Sequence, residues 1–159
     1  DILQSSLSYN QMIQLNREFP TNIDSPDGSK IPVAYVDGMP MASAKLQQFF
    51  GSESTPKVGP LHNKNEQIPV SLSLLSPGGK PLAQTSDLPF FWKEVYPQVR
   101  AEMRGRYPKH PWPEDPINAS PTKRTKNQEM SHQGNDVSST KNDKQDKRKN
   151  KKNKKRKKK

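Results

Sequence analysis

Residues 85–116 read TSDLPFFWKEVYPQVRAEMRGRYPKHPWPEDP, from Thr85 to Pro116, and this stretch decides how the rest of the chain must be arranged. It holds both tryptophans, Trp92 and Trp112, and the densest mixture of aromatic and basic side chains outside the C-terminal lysine run. Ser86 or Asp87 can cap a helix whose apolar positions Leu88, Phe91, Trp92 and Val95 recur at helical spacing. Pro97 removes a backbone donor, so the sequence predicts a kink there, or two helical pieces with Pro97 in the first turn of the second. Gly105 is placed to end the helix in the left-handed conformation. The proline-rich RYPKHPWPEDP that follows cannot be helical, and is expected as an extended strap pinned to the body by Tyr107 or Trp112. In an unbroken helix, Lys93, Arg100 and Arg104 fall in one row.

Upstream, the pattern is short strands punctuated by turns. Residues 1–18 carry Ile2, Leu3, Leu7, Met12, Ile13 and Leu15 at loosely helical spacing, which reads as a marginal helix or a segment that docks on structure upstream of it. Phe19 to Val36 is expected as a β-hairpin around Ser25-Pro26-Asp27-Gly28, with Ile31, Val33 and Tyr35 alternating and with Pro20 and Pro32 favouring edge positions. Asp37-Gly38 makes another turn, and Met41 to Lys45 forms a strand or a helix start. Leu46, Phe49 and Phe50 before Gly51 read as a short helix with a glycine stop. Ser52 to Gln67 is a loop. Ile68, Val70, Leu72 and Leu74 give the best alternation in the chain, and Pro77-Gly78-Gly79-Lys80 returns that strand to a short partner at Pro81 to Thr85.

Composition divides the chain at residue 116. Residues 1–116 contain 41 of the apolar residues and 117–159 only 4, so only the first part can build a core. The charge divides there too: 11 Lys or Arg against 12 Asp or Glu before the boundary, 16 against 4 after it. The basic character therefore belongs to the tail, and a segment of this composition is expected to be disordered when free. Eleven of the thirteen residues Lys147 to Lys159 are Lys or Arg, a density that binds polyanions without selectivity. KNKKRKKK serves as an import signal in a nucleus-containing cell and as an RNA anchor in a bacterium. With no cysteine, disulfides and thiolate metal sites are excluded. No apolar run approaches the roughly 20 residues of a membrane span. DILQSSLSYNQ lacks both an initiator methionine and a signal-peptide pattern, and reads as the start of a fragment.

Few motifs carry chemistry. A phosphate cradle of the GxxxxGK[ST] type fails at Gly79-Lys80, because Leu74 stands at the first glycine and Pro81 at the magnesium-binding hydroxyl. His62, His110 and His132 lack companions at metal-ligand spacing. Glu114 and Asp115 are adjacent in sequence and are expected to be solvated or paired with the preceding arginines. The functional candidates are Arg100, Arg104, Arg106, Lys109 and in addition Lys93, which can contact phosphates, with Tyr107 or Trp112 available to stack on a base. The plainer alternative is a solvated helix face in which Glu102 pairs with Arg106.

Several words of the sequence fit one family. Leu46-Gln47 with Phe50-Gly51, then Leu74-Leu75-Ser76-Pro77 with Pro81, then Thr85, Asp87, Leu88, Phe91 and Trp92, and finally Tyr96, Val99, Arg100 and Arg104 to Pro116 occur in the same order. The chain from about Phe19 to Pro116 resembles the C-terminal region of the HrpB family of DExH-box ATP-dependent RNA helicases. Gln48 and Lys80 depart from it, standing where the family tends to carry an acid and an arginine. The resemblance implies an accessory domain beyond two motor domains. Those motors would hold the ATP and Mg2+, leaving no cofactor and no ATP hydrolysis for this chain alone.

The expectation is thus an α+β fold of β-hairpins and short helices. Residues 1–18 form an N-terminal remnant or docking segment, 19–116 the helicase accessory domain and 117–159 a disordered lysine-rich tail. Its partners would be RNA or another nucleic acid and the motor domains of its own parent, in a bacterial cytoplasm. The rival is a protein-interaction module with a non-specific polyanion-binding tail.

Overall fold

The computed structural model describes residues 6–132, and the expected lysine-rich end from residue 133 onwards lies outside the described residues. The chain divides into two units, 1–123 and 124–159. The first is an α+β domain. Helix α1 (Tyr9–Glu18) is followed by strands β1 (Asn22–Asp24), β2 (Lys30–Val36) and β3 (Met39–Lys45), and a 3-10 turn at Leu46–Phe49. Two short strands, β4 (Lys57–Val58) and β5 (Ile68–Pro69), flank a further 3-10 turn at Lys64–Glu66. Then come β6 (Ser71–Leu75), β7 (Pro81–Thr85) and one helical run: α2 (Leu88–Phe90), a π-helical turn (Phe91–Val95) and α3 (Tyr96–Arg106).

The main sheet has the order β1-β2-β3-β6-β7. Both expected hairpins are present, β1 with β2 and β6 with β7, and Asp37 (φ 50°) with Gly38 (φ 77°) makes the tight turn from β2 to β3. The pairing of β3 with β6 is parallel, with Ala42 opposite Leu72 and Ala44 opposite Leu74. A parallel pair needs a long crossover. Here that crossover is residues 46–70, which explains why the polar loop predicted for 52–67 is so long. It is also not featureless, since β4 and β5 pair with each other inside it.

Pro32 corrects one expectation, because its strand is flanked on both sides rather than lying at an edge. Val33 N donates to Thr21 O on the β1 side, so the donor that Pro32 lacks would have pointed towards β3. The β2–β3 pairing begins only at Val33, and no ladder bond is lost.

Alternation places Ile23, Ile31, Val33, Ala42, Ala44, Leu72 and Leu74 on one buried face. Leu46, Phe49 and Phe50 from the crossover, with Leu88, Phe91, Trp92, Tyr96 and Met103 from the helical run, complete the core. Asp87, the expected cap, accepts from Phe90 N at 3.0 Å and starts the run. Pro97 falls in the first turn of α3, as expected for the second of two helical pieces. The turn before it widens so that Tyr96 N reaches Phe91 O, a π insertion that absorbs the missing donor.

Gly105 is not the stop. The helix passes through it and ends at Tyr107, whose φ of −127° is the extended value imposed on a residue before proline. Pro108 therefore terminates this helix.

The packed region also runs past Pro116, its expected end. Gly51 N donates to Pro116 O at 2.9 Å, Thr122 N donates to Gln47 O at 2.9 Å, and Thr122 is buried. In the second unit, residues 126–132 are helical, with Thr125 and Gln128 bonded reciprocally in the manner of a capping box.

Candidate nucleic-acid interface

The strap after α3 has a proline at four of the positions 108–116, so it cannot bond to itself as a strand would. Its carbonyls need donors from elsewhere. Three consecutive ones receive them. Gln47 Nε2 donates to Pro111 O (2.6 Å), Arg100 Nε to Trp112 O (2.9 Å) and Tyr96 Oη to Pro113 O (2.8 Å). Trp112 closes the loop by donating from Nε1 to Tyr107 O at 3.0 Å.

Under the strap lies an aromatic cluster. Trp92 is edge-on to Tyr96 at 5.4 Å and to Phe91 at 5.2 Å, and Phe50 meets Trp92 at 6.0 Å and Tyr96 at 6.1 Å. These separations lie in the range where edge-to-face pairs add to burial energy. Trp92 Nε1 is satisfied by Ser52 O, and burial raises the Tyr96 hydroxyl pKa far above its ordinary value, so it remains a neutral donor at any physiological pH.

Of the candidate residues, Arg100 and Trp112 are drawn into this clamp. Trp112 is 7% exposed, so its ring is core rather than a platform for a base. Arg100 adds an ion pair to Glu114 at 3.1 Å with its side chain 22% exposed. Glu114 and Asp115, expected to be solvated or paired, divide the roles: Asp115 instead accepts from the backbone of Ile117 and Asn118.

Lys93 is exposed and lies 3.7 Å from Glu94, while Arg106 lies 3.6 Å from Glu102 one turn back, the pairing foreseen as the plainer alternative. Of the three residues expected in one row, Lys93, Arg100 and Arg104, the strap engages Arg100. Arg104 and Lys109 are different. Both are exposed and neither has an acidic partner among the described residues.

Beside them, the end of α3 and the β6–β7 turn enclose a cleft of about 230 Å³, with Lys80 and Arg106 at its rim and Tyr107, Ser76 and Met103 in its wall. Tyr107 is half-buried, its hydroxyl 3.5 Å from Ser76 Oγ, and it packs against His110. A Cβ at Gly78 would lie 2.8 Å from the Tyr107 hydroxyl, so any larger residue there would displace that ring.

Lys80 was not among the sequence candidates; the turn brings it there from a distant part of the chain. Gln47 was also missed, although a proline strap with three buried carbonyls implies a buried amide or guanidinium donor.

The amides of the Gly79-Lys80 turn bond within the turn itself. Gly79 N donates to Ser76 O and Lys80 N to Ser76 Oγ, so the amides that would cradle a phosphate are already engaged. No group of three or more metal-ligating side chains occurs among the described residues, and no helix among them is long and apolar enough to cross a membrane.

Comparison with known proteins gives a family whose signature is the ATP-dependent helicase C-terminal region of HrpB, matching residues 1–116. The chain belongs to this family. It is 40% identical over 125 residues to the ATP-dependent RNA helicase HrpB of Escherichia coli K12, a match covering 78% of this chain and 15% of that protein. A crystal structure of the E. coli DExH-box NTPase HrpB superposes with a TM-score of 0.69 at 40% identity, over 77% of this chain and 15% of that one. A second E. coli HrpB structure, described as a DEAH/RHA helicase, gives 0.52 at 36% identity, over 69% and 13%. This HrpB C-terminal domain thus spans less than a sixth of the length of its relative. The family match begins at residue 1 rather than at about Phe19, so α1 belongs to the family's region.

Proposed function

We propose that this domain is the nucleic-acid-contacting accessory part of an ATP-dependent RNA helicase, acting in the bacterial cytoplasm. The motor domains of the parent protein would bind ATP and Mg2+ and perform the hydrolysis; this chain supplies affinity. The observation that carries the reading is the pair of exposed cations without acidic partners, Arg104 and Lys109, at the end of a helix whose other basic residues are engaged. Arg106 and Lys80 extend this charge around the cleft, and Tyr107 offers the partly exposed ring. A phosphate contact releases counterions whatever the base, so binding here would be strong in low salt and indifferent to sequence.

The test is single-stranded RNA affinity against salt for the whole chain and for a form ending at Lys123, the limit of the first unit. Two phosphate contacts, from Arg104 and Lys109, give a slope of log K against log salt of roughly −1.4 for the shorter form, and the basic tail makes the whole chain steeper. If the shorter form binds no RNA at any salt, the folded domain is a protein-docking piece and only the tail holds nucleic acid.

A further inference from the structure

The cleft between the end of α3 and the β6–β7 turn has a size and a lining that narrow what it can hold. Its volume of about 230 Å³ lies below the roughly 300 Å³ at which sites for drug-sized ligands begin, so it suits a ring system rather than a whole nucleotide. Pro81, Leu82, Val99 and Met103 line it, and a bare phosphate would sit against hydrocarbon. The carboxylate of Glu102 in the same lining opposes an anion further.

What the cleft offers is an aromatic wall with mixed polar groups at its edge. Tyr107 is fixed by its surroundings: its ring lies edge-on to His110 at 6.5 Å, and its hydroxyl is 3.5 Å from Oγ of the buried Ser76. Glu102 and Arg106 stand 3.6 Å apart on α3, with side chains 62% and 59% exposed. They present an acceptor beside a donor. Every unpaired base carries the complement, a donor beside an acceptor, on its pairing edge.

We infer that this cleft is a subsite for one unpaired base of an RNA strand, held by the Tyr107 ring and by Glu102 and Arg106, with Lys80 on the adjoining phosphate. The inference rests on the nucleic-acid reading and deepens it. Phosphate contacts from Arg104 and Lys109 do not separate a single strand from a duplex. A paired base has no free edge, and leaving its stack costs energy. The subsite therefore makes the folded domain selective for single strands while indifferent to which base it takes.

Photo-cross-linking tests it, with the 159-residue chain and a single-stranded oligouridine carrying 4-thiouridine. The label should attach at Tyr107 or Met103, and that attachment should vanish when the oligomer is annealed to its complement. Tyr107→Leu should weaken single-strand binding about fivefold or more, the share of one stacked base, and leave duplex binding unchanged. Tyr107→Phe keeps the ring and should bind as the parent does. Cross-links confined to other residues would overturn the inference, as would a Tyr107→Leu protein that binds single strand and duplex with equal losses or with none. The nucleic-acid reading fails separately. If the cleft takes no label but Arg104→Ala with Lys109→Ala still lowers the salt slope, the base subsite falls and the phosphate contacts stand. If that double variant leaves the slope unchanged as well, both fall.

Discussion

Arg100 and Arg104 lie one turn apart on the same helix and have opposite fates. Arg100 reaches inward over the aromatic cluster, donates to Trp112 O and pairs with Glu114. Arg104 projects outward with no acidic partner among the described residues. What separates them is the strap, which crosses the helix at Arg100 and brings a carbonyl and a carboxylate with it. A basic residue is therefore a structural or a binding group according to what the distant chain places beside it. Gln47, Tyr96 and Arg100 with the PWPEDP segment are the parts of the clamp that holds the strap.

The sharpest way to break the clamp is Trp112→Ala. Truncating a buried aromatic costs about 3–5 kcal/mol, which lowers the unfolding temperature by on the order of 10 °C or more. A shift of a degree or two in a thermal melt would mean that the strap is peripheral and that the two arginines do not differ as described. Gln47→Leu asks for less. It removes the donor to Pro111 O but also the buried Oε1 that has no partner, so the net loss should be about 1–2 kcal/mol, read from the denaturant midpoint.

In the β1–β2 turn, Asp27 gives a smaller effect that calibrates the others. Burial opposes its ionisation, but hydrogen bonds from Ser25, Ser29 and Gln48 outweigh it and hold the carboxyl below its ordinary value of 3.8. A depressed folded-state value means stability that is present above that ordinary value and is lost as pH falls through the folded one. Asp27→Asn should therefore flatten the acid limb of a stability–pH curve below about pH 4, because the stability it removes is present at pH 7 and already lost at the acid end. An acid limb of unchanged slope would assign the effect to other carboxylates. Gln48 belongs to this network, its amide donating to Asp27 Oδ2 at 3.2 Å, whereas a carboxylate there would repel it.

The strands and turns were legible because their signals are local. Alternation at Ile68 to Leu74, the turn at Ser25 to Gly28 and the cap at Asp87 depend on neighbours within a few residues. The parallel pairing of β3 with β6 was not legible, since register across a crossover is set by the sheet as a whole. Gly105 misled because Pro108, three residues on, is the stronger stop. At the candidate interface, the sequence supplied the residue types but not their allocation. Trp112 looks the same on paper whether it stacks on a base or fills a core. Lys80 could not be joined to Arg106 until the β6–β7 turn set them at one cleft.

The measurement that tests this allocation most directly is a crossed one, with Arg100→Ala and Arg104→Ala each assayed for unfolding free energy and for the salt dependence of RNA binding in the form ending at Lys123. Arg100→Ala should lose about 1–3 kcal/mol of stability and keep its slope, because that guanidinium serves the strap. Arg104→Ala should stay within about 0.5 kcal/mol of the parent and lose about 0.7 of the slope, the share of one phosphate contact on a single strand. If Arg104→Ala leaves the slope unchanged while Arg100→Ala reduces it, the two arginines have been assigned the wrong way round and the account fails.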